Sequence, residues 1–315
     1  MARQARGGLE KRDARTGVLL LTPTLIIVLA VVIVPLLWSF LIAFQELRLL
    51  QIGTASIFQP LTLDNFRLVL SSGVMWSSLL LTIFYTAGST ILTIALGLLA
   101  ALVVRSPFRG RTFVRAAMLL PYVAPVVAVT FVWRTMLNPN FGIVNGFGQN
   151  VLGWDEPIAF LSQAQGQLDI FGLSITVPTA LLTVILFEGW RNFPFAFLFI
   201  LARLQSLSRE IDEAAVVDGA TPLQAFRWVT LPQLMPVIGV LAVLRAIWTF
   251  NEFDDVFLLT GGAAGTRVVS VSVFQYLTVQ RNVGAGAAQS VVLAVVLVIG
   301  LSLYMWLLRR RGERL

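Results

Sequence analysis

Six long apolar stretches dominate the pattern of hydrophobic and polar positions along this chain. They lie near residues 18–44, 76–104, 113–137, 177–202, 236–259 and 289–308. Each is long enough to cross a bilayer core as a helix, which takes roughly 20 apolar residues. All are too long for barrel strands, which need only about 10 alternating residues. The pattern therefore predicts an all-α membrane protein with six transmembrane helices, in which residues 1–315 form a single domain.

Composition agrees with a membrane location and removes several kinds of chemistry. Charged residues make up only 12% of the chain, against about 25% in soluble domains. There is no Cys and no His, which excludes disulfides, thiolate or imidazole metal ligands and a Ser–His hydrolytic pair. Carboxylate chemistry stays open. The single Lys, Lys11, belongs to no Walker A phosphate loop. We therefore expect no enzyme, no metal site and no cofactor held by this chain itself.

The distribution of basic residues predicts the orientation. The net charge is +7, and most Lys and Arg lie in the two terminal segments and in the second and fourth connections. Six alternating spans place these four segments on one side, which the positive-inside rule assigns to the cytoplasm. The third connection, 138–176, has acidic residues but no Lys or Arg, as expected of an external loop. We predict cytoplasmic N- and C-termini and no nucleic-acid partner, since the basic residues form no folded aqueous face.

The fourth connection has folding signals of its own. Residues 203–235 predict a cytoplasmic helix-turn-helix. Gly219 suits the left-handed end of the first helix. Thr221 and Gln224 form a capping box at the start of the second helix, which we expect to end at Pro232. A compact hairpin should therefore project from the membrane.

A spaced motif runs through this hairpin. Three residues separate its Glu-Ala-Ala from a Gly, and nine more separate that Gly from Val-x-Leu-Pro. With Val229 in place of Ile, the spacing resembles the EAA motif of binding-protein-dependent ABC importer permeases. The string Glu-Ala-Ala-x-x-Asp-Gly-Ala is similar to the sugar branch, of the maltose and glycerol-3-phosphate type. The resemblance implies a type I importer permease fold and a hairpin that docks on an ATPase. The coupling residues implied are Glu213, Ala214, Ala215, Asp218, Gly219, Leu231 and Pro232.

The same resemblance implies partners and a location. It implies a second homologous permease subunit, in a heterodimer, and two copies of a cytoplasmic ABC ATPase that carry ATP and Mg. It further implies an extracytoplasmic solute-binding protein or lipoprotein, a small sugar as solute, and a multi-pass position in the bacterial cytoplasmic (inner) membrane. The sequence then predicts the translocating subunit of an ATP-driven importer.

Polar side chains within two apolar stretches point to a solute site. Ionisable groups inside a bilayer cost about 2.5–3.5 kcal/mol each on insertion scales, which makes them functional candidates. The fourth stretch has a polar stripe at helical spacing, and the fifth has Trp248, Asn251 and Asp255 expected on one helix face. Solute contacts in the resembling permeases come from these two segments. The residues implied are Glu188, Arg191, Asn192, Phe195, Phe250, Asn251 and Asp254.

Three alternatives stay open at this point. Glu188 could pair with Arg191, or Arg245 with a neighbouring acid, only to neutralise the helices. Arg191 and Arg245 could instead hold an anionic solute such as a phosphorylated polyol, because Arg suits bidentate phosphate binding. The chain could also be a proton-coupled secondary transporter that uses Glu188 or Asp255 as the proton carrier.

Overall fold

The computed structural model describes residues 16–54, 56, 58–170 and 173–310, and within them helices predominate. In chain order the helices are α1 (Thr16–Ile42), α2 (Asp64–Ser71), α3 (Gly73–Val103), α4 (Arg111–Val123), α5 (Val126–Met136), α6 (Ile143–Asn150), α7 (Thr179–Ser206), α8 (Arg209–Val217), α9 (Pro222–Phe250), α10 (Asp254–Thr260), α11 (Val269–Thr278) and α12 (Val283–Arg310). A 3-10 turn covers Leu49–Thr54, and two strands, β1 (Gly166–Ile170) and β2 (Leu173–Val177), lie between α6 and α7.

Six spans account for the apolar stretches of the described chain. Five are continuous helices, α1, α3, α7, α9 and α12, and the sixth is the pair of α4 and α5. This pair is bent by 96°, so the single helix expected over 113–137 is wrong. Ala124 is extended, with ψ 140°, because the ring of Pro125 disfavours helical backbone in the residue before it. The basic N-terminal tail lies outside the described residues, and the orientation stays a prediction.

Helix α9 joins two elements that the sequence separated. We expected a short helix ending at Pro232 and a span over 236–259. Instead the chain is helical from Pro222 to Phe250, with a π turn at Phe226–Thr230. A proline ring clashes with the carbonyl four residues before it in a regular α-helix. The wider π turn directly before Pro232 relieves this clash, so the helix continues.

Beyond Phe250 the chain breaks before α10 begins at Asp254. Asp255 therefore lies on a separate short helix, and the prediction that it shares a helix face with Trp248 and Asn251 is wrong. The external connection also contains structure that the apolar pattern did not predict. Strands β1 and β2 pair antiparallel, with Gly166 opposite Val177 and Ile170 opposite Leu173.

The chain divides into two compact units. The first takes in the chain up to Ser72 together with Gln275–Val292. Its apolar centre contains Ile42, Leu47 and Val283. The buried Asn65 amide donates to the carbonyls of Ala43 at 3.1 Å and Gln45 at 2.8 Å, which satisfies the backbone where α1 ends.

The second unit, Gly73–Phe274 with the chain from Leu293 onward, holds the candidate site. In it α3 lies along α7. A Cβ at Gly97 would be 2.7 Å from the Ala196 Cβ, so only glycine permits this close approach. Two apolar clusters hold the helices together. One contains Phe197, Ile200, Leu234 and Leu241, and the other contains Tyr85, Val184, Phe187, Val256 and Leu259.

Candidate functional site

The hairpin that carries the EAA motif turns at Gly219. Gly219 joins α8 to α9 with φ +78°, in the left-handed region that favours glycine. The Thr221 N–H donates to Gln224 Oε1 at 2.8 Å and the Gln224 N–H donates back to Thr221 Oγ1 at 3.4 Å, which completes the capping box. Ser208 Oγ accepts from the Glu210 N–H at 3.2 Å at the start of α8. The left-handed Gly219 and the capping box fix the bend between the two helices, and the Ser208 cap holds the start of α8.

The residues implied for coupling lie on and beside this bend. Ala215 is buried and Leu231 is half-buried, whereas the remaining five are exposed: Glu213, Ala214, Asp218, Gly219 and Pro232. A groove of about 840 Å³ separates the hairpin from the end of α3, with Arg111, Glu213 and Phe226 in its lining. The Arg111 guanidinium donates to the carbonyls of Val104 at 2.8 Å and Arg105 at 2.9 Å, which closes the end of α3. The bend thus offers an accessible, rigid surface.

Arg245 connects the two segments implied for solute binding. From α9, it donates to Glu188 Oε1 on α7 in an ion pair, and to Asn192 Oδ1 at 3.2 Å. It also donates to Thr249 Oγ1 at 3.0 Å. Glu188, Asn192 and Arg245 are all buried. Glu188 therefore pairs with Arg245 and not with Arg191, so one of the open alternatives, an Arg245–acid pair, is present in the structure.

A second ion pair links α7 to α10. Arg191 Nε lies 2.8 Å from Asp255 Oδ2, and its Nη2 lies 4.0 Å from Glu252 Oε2. Asp255 lies on α10, after the end of the α9 span, and is fully buried. Burial raises its pKa to about 10; the hydrogen bond and the charge of Glu188 act in the same direction, and Arg191 opposes them. Burial likewise raises the pKa of Glu252, and the charge of Glu188 adds to this effect.

The other residues implied for solute binding differ in their exposure to solvent. Phe195 is half-buried and meets Trp248 edge to face, with ring centres 5.1 Å apart. Phe250 is buried. Asn251, at the end of α9, is exposed and donates to the Ile247 carbonyl at 2.8 Å. Asp254, at the start of α10, is exposed. Accessible polar groups therefore flank the break between α9 and α10, whereas the Phe195 ring lies against Trp248.

One polar feature of this site escaped the sequence reasoning. Along α3, a row of buried hydroxyl groups has no hydrogen-bond partner among the described residues: Tyr85, Thr86, Ser89, Thr90 and Thr93. The positions follow one another at i, i+1, i+4, i+5 and i+8, a spacing that was readable in the sequence as one helix face.

Comparison with a family model decides the assignment. Residues 93–313 match the family described as binding-protein-dependent transport system inner membrane component. The chain belongs to this family. This permease is 36% identical over 293 residues to the inner membrane ABC transporter permease protein YcjO of Escherichia coli K12, covering 91% of this chain and 92% of that protein.

Two further relatives carry solute names. The permease is 31% identical over 301 residues to the trehalose/maltose transport system permease protein MalF of Thermococcus litoralis, covering 94% of both. It is 31% identical over 241 residues to the sn-glycerol-3-phosphate transport system permease protein UgpA of Agrobacterium fabrum, covering 75% of this chain and 76% of that protein.

A solved structure shows the same fold. The crystal structure of a bacterial ABC transporter involved in import of the acidic polysaccharide alginate contains a chain that superposes with a TM-score of 0.79 at 23% identity, covering 96% of this chain and 98% of that one. The permease is thus a multi-pass inner-membrane component of an ABC importer with the six-span type I fold. The sequence-based predictions of family, fold class and membrane location are confirmed.

Proposed function

We propose that this permease imports a sugar or a sugar-like polar solute, with energy from ATP hydrolysed on a separate subunit. The relatives named for trehalose/maltose and for glycerol-3-phosphate support this solute class. A neutral sugar is favoured over a phosphorylated polyol, because Arg191 and Arg245 are both engaged with carboxylates. A phosphate would have to displace one of these buried pairs, which leaves a carboxylate unpaired.

The proposed assembly has a second homologous permease subunit as heterodimer partner, two ATPase subunits that hold ATP and Mg, and an extracytoplasmic solute-binding protein or lipoprotein. The accessible, doubly capped bend at Gly219 carries this proposal. The exposed Glu213 and Asp218 offer charges to a partner, and Ala214 adds so little bulk that another protein can approach the backbone. Leu231 and Pro232 would support the bend from the first turns of α9. A bend fixed by hydrogen bonds transmits a displacement better than a mobile loop does.

For the solute, we propose that the implied residues have two roles. Asn251 and Asp254 are exposed and would bind hydroxyl groups, with Phe195 as an apolar surface for sugar C–H groups. Arg191 is partly exposed and would contribute from the edge of the network. The buried residues, Glu188, Asn192 and Phe250, would position these groups.

A proton-coupled secondary transporter is not favoured. The family is that of binding-protein-dependent systems. Moreover, Glu188 and Asp255 are fully buried, and each accepts a hydrogen bond from an arginine. A carrier that must take up and release protons at an aqueous surface needs access that these two carboxyl groups lack.

An Asn251→Ala variant tests the solute site. Loss of one hydrogen bond to the solute, about 0.5–1.5 kcal/mol, should raise the solute concentration for half-maximal ATPase stimulation roughly 3- to 10-fold. The measurement uses the reconstituted importer with its binding protein. Asn150→Ala is the matched control, because exposed Asn150 likewise donates to the carbonyl four residues before it, at 2.7 Å, on the external α6. Identical dose–response curves for the two variants and the wild type would move the site elsewhere.

A further inference from the structure

The buried network contains an odd number of charged groups. Three carboxyl groups, from Glu188, Glu252 and Asp255, meet two guanidinium groups, from Arg191 and Arg245. Glu188 and Asp255 are wholly buried, and the other three side chains are at most 20% exposed. If all five were ionised, one negative charge would remain uncompensated away from water. Such a charge costs several kcal/mol, so buried groups tend to change their protonation instead.

The atoms that lack partners show where the network is incomplete. Glu188 Oε2 and Asp255 Oδ1 are both buried without a hydrogen-bond donor among the described residues. Glu188 lies one turn before Arg191 on the same face of α7, and Asp255 binds Arg191, so the two carboxyl groups lie side by side. Two ionised carboxylates have no proton to place between them and would repel. One proton both supplies the missing donor and removes the excess charge.

We propose that Asp255 carries a structural proton on Oδ1 and donates it to Glu188 Oε2, which joins α10 to α7. The proton belongs on Asp255 because Glu188 is the better stabilised anion: it accepts from Arg245 and from Thr249 Oγ1, the latter at 3.2 Å. Neutral Asp255 still accepts from Arg191 through Oδ2. Two positive and two negative charges then remain: Arg245 compensates Glu188, and Arg191 compensates Glu252.

The surroundings hold this proton in place. Tyr85 faces the carboxyl pair from α3 as a neutral phenol, and Asp254 lies beside Glu252, where its charge acts against ionisation of Glu252. Because burial raises the pKa of Asp255 to about 10, the proton stays bound at neutral pH. It is therefore part of the packing between α7, α9 and α10, the elements that the proposed function assigns to solute binding, and not a transported ion.

Infrared spectroscopy of the full chain in an alkyl maltoside detergent, which lacks the ester carbonyl groups of lipids, tests the assignment. Near pH 7, Asp and Glu with ordinary pKa values near about 4 are ionised and give no protonated-carboxyl stretching band. Wild-type permease should show this band, and Asp255→Asn should remove it. Asp155→Asn, the same change at an exposed carboxyl, should leave it in place. No band in the wild type, or a band that survives Asp255→Asn, would overturn the proposal.

The pH dependence of thermal unfolding provides a second test, because the proposal fixes the direction in which stability changes with pH. The folded state binds a proton that the unfolded state releases above an ordinary Asp pKa of about 3.9, so stability falls as the pH rises from there toward 10. Asp255→Asn keeps a donor toward Glu188 and should match the wild type near pH 7 with a flatter pH dependence, whereas Asp255→Ala should melt lower. Equal slopes for wild type and Asp255→Asn would contradict the proton. Neither measurement involves solute or ATPase, so its failure leaves the proposed function standing.

Discussion

Replacing Gly219 with alanine should disconnect transport from ATP hydrolysis. The φ of +78° lies in the left-handed region, and a Cβ added there would meet no atom within 4 Å. The substitution therefore introduces backbone strain without a clash. A left-handed conformation costs a non-glycine residue about 1–2 kcal/mol. That energy changes the equilibrium between the bent hairpin and other arrangements by a factor of roughly 5–30.

Uptake and ATP hydrolysis measured together in proteoliposomes report on this equilibrium. Gly219→Ala should reduce the solute transported per ATP hydrolysed several-fold, while the permease still inserts. Gly153→Ala is the matched control, since Gly153 has φ +71°, has open space around it, and lies in the external connection. Glu213→Gln should act like Gly219→Ala, with exposed Glu156→Gln as its control. An equal loss in Gly219→Ala and Gly153→Ala, or no loss in either, would contradict a coupling role for the bend.

Two further predictions concern the packing of the second unit. Arg245→Met should lower the melting temperature of the purified permease, because it leaves the Glu188 carboxylate buried without its partner, a change worth about 3–5 kcal/mol. Adding Glu188→Gln should recover much of this loss. A double variant that melts no higher than the single variant would exclude the ion pair as the cause. Gly97→Val should destabilise the α3–α7 contact by about 1–3 kcal/mol, whereas Gly300→Val, with open space around its α-carbon, should have little effect in the same melting assay.

The spans were predictable because a helix that crosses a bilayer needs a long apolar stretch, which is visible in the sequence. Their interruptions were not, since the effect of a proline depends on the turn around it. Pro121, Pro194 and Pro236 all lie inside helices, whereas Pro125 begins a new one. The chain also stays helical across Pro232, where a π turn precedes the ring. A single sequence records the proline but not which of these local arrangements the surrounding packing selects.

The hairpin at Gly219 was readable because each of its signals is local, within a few residues of the group it satisfies. The network was readable only in part. The stripe with Glu188 and Asn192 follows from helical spacing, but their partner Arg245 comes from another helix more than 50 residues later. The sequence offered Arg191 as a partner for Glu188 and an unnamed neighbouring acid for Arg245, and the pairing that forms depends on how α9 lies against α7. The break after Phe250, which moves Asp255 to its own helix, likewise depends on tertiary contacts.

The continuity of α9 gives the proposed mechanism a physical path. Its first turn holds the cap of the hairpin at Thr221, and Arg245 lies near its far end. At 1.5 Å per residue these positions are about 36 Å apart along one helix. A helix that ended at Pro232 would have placed a flexible joint between the bend and the buried network. Because the π turn at Phe226–Thr230 keeps the helix unbroken, a displacement of the bend by an ATPase must move Arg245, and with it the ion pair to Glu188 that anchors α7.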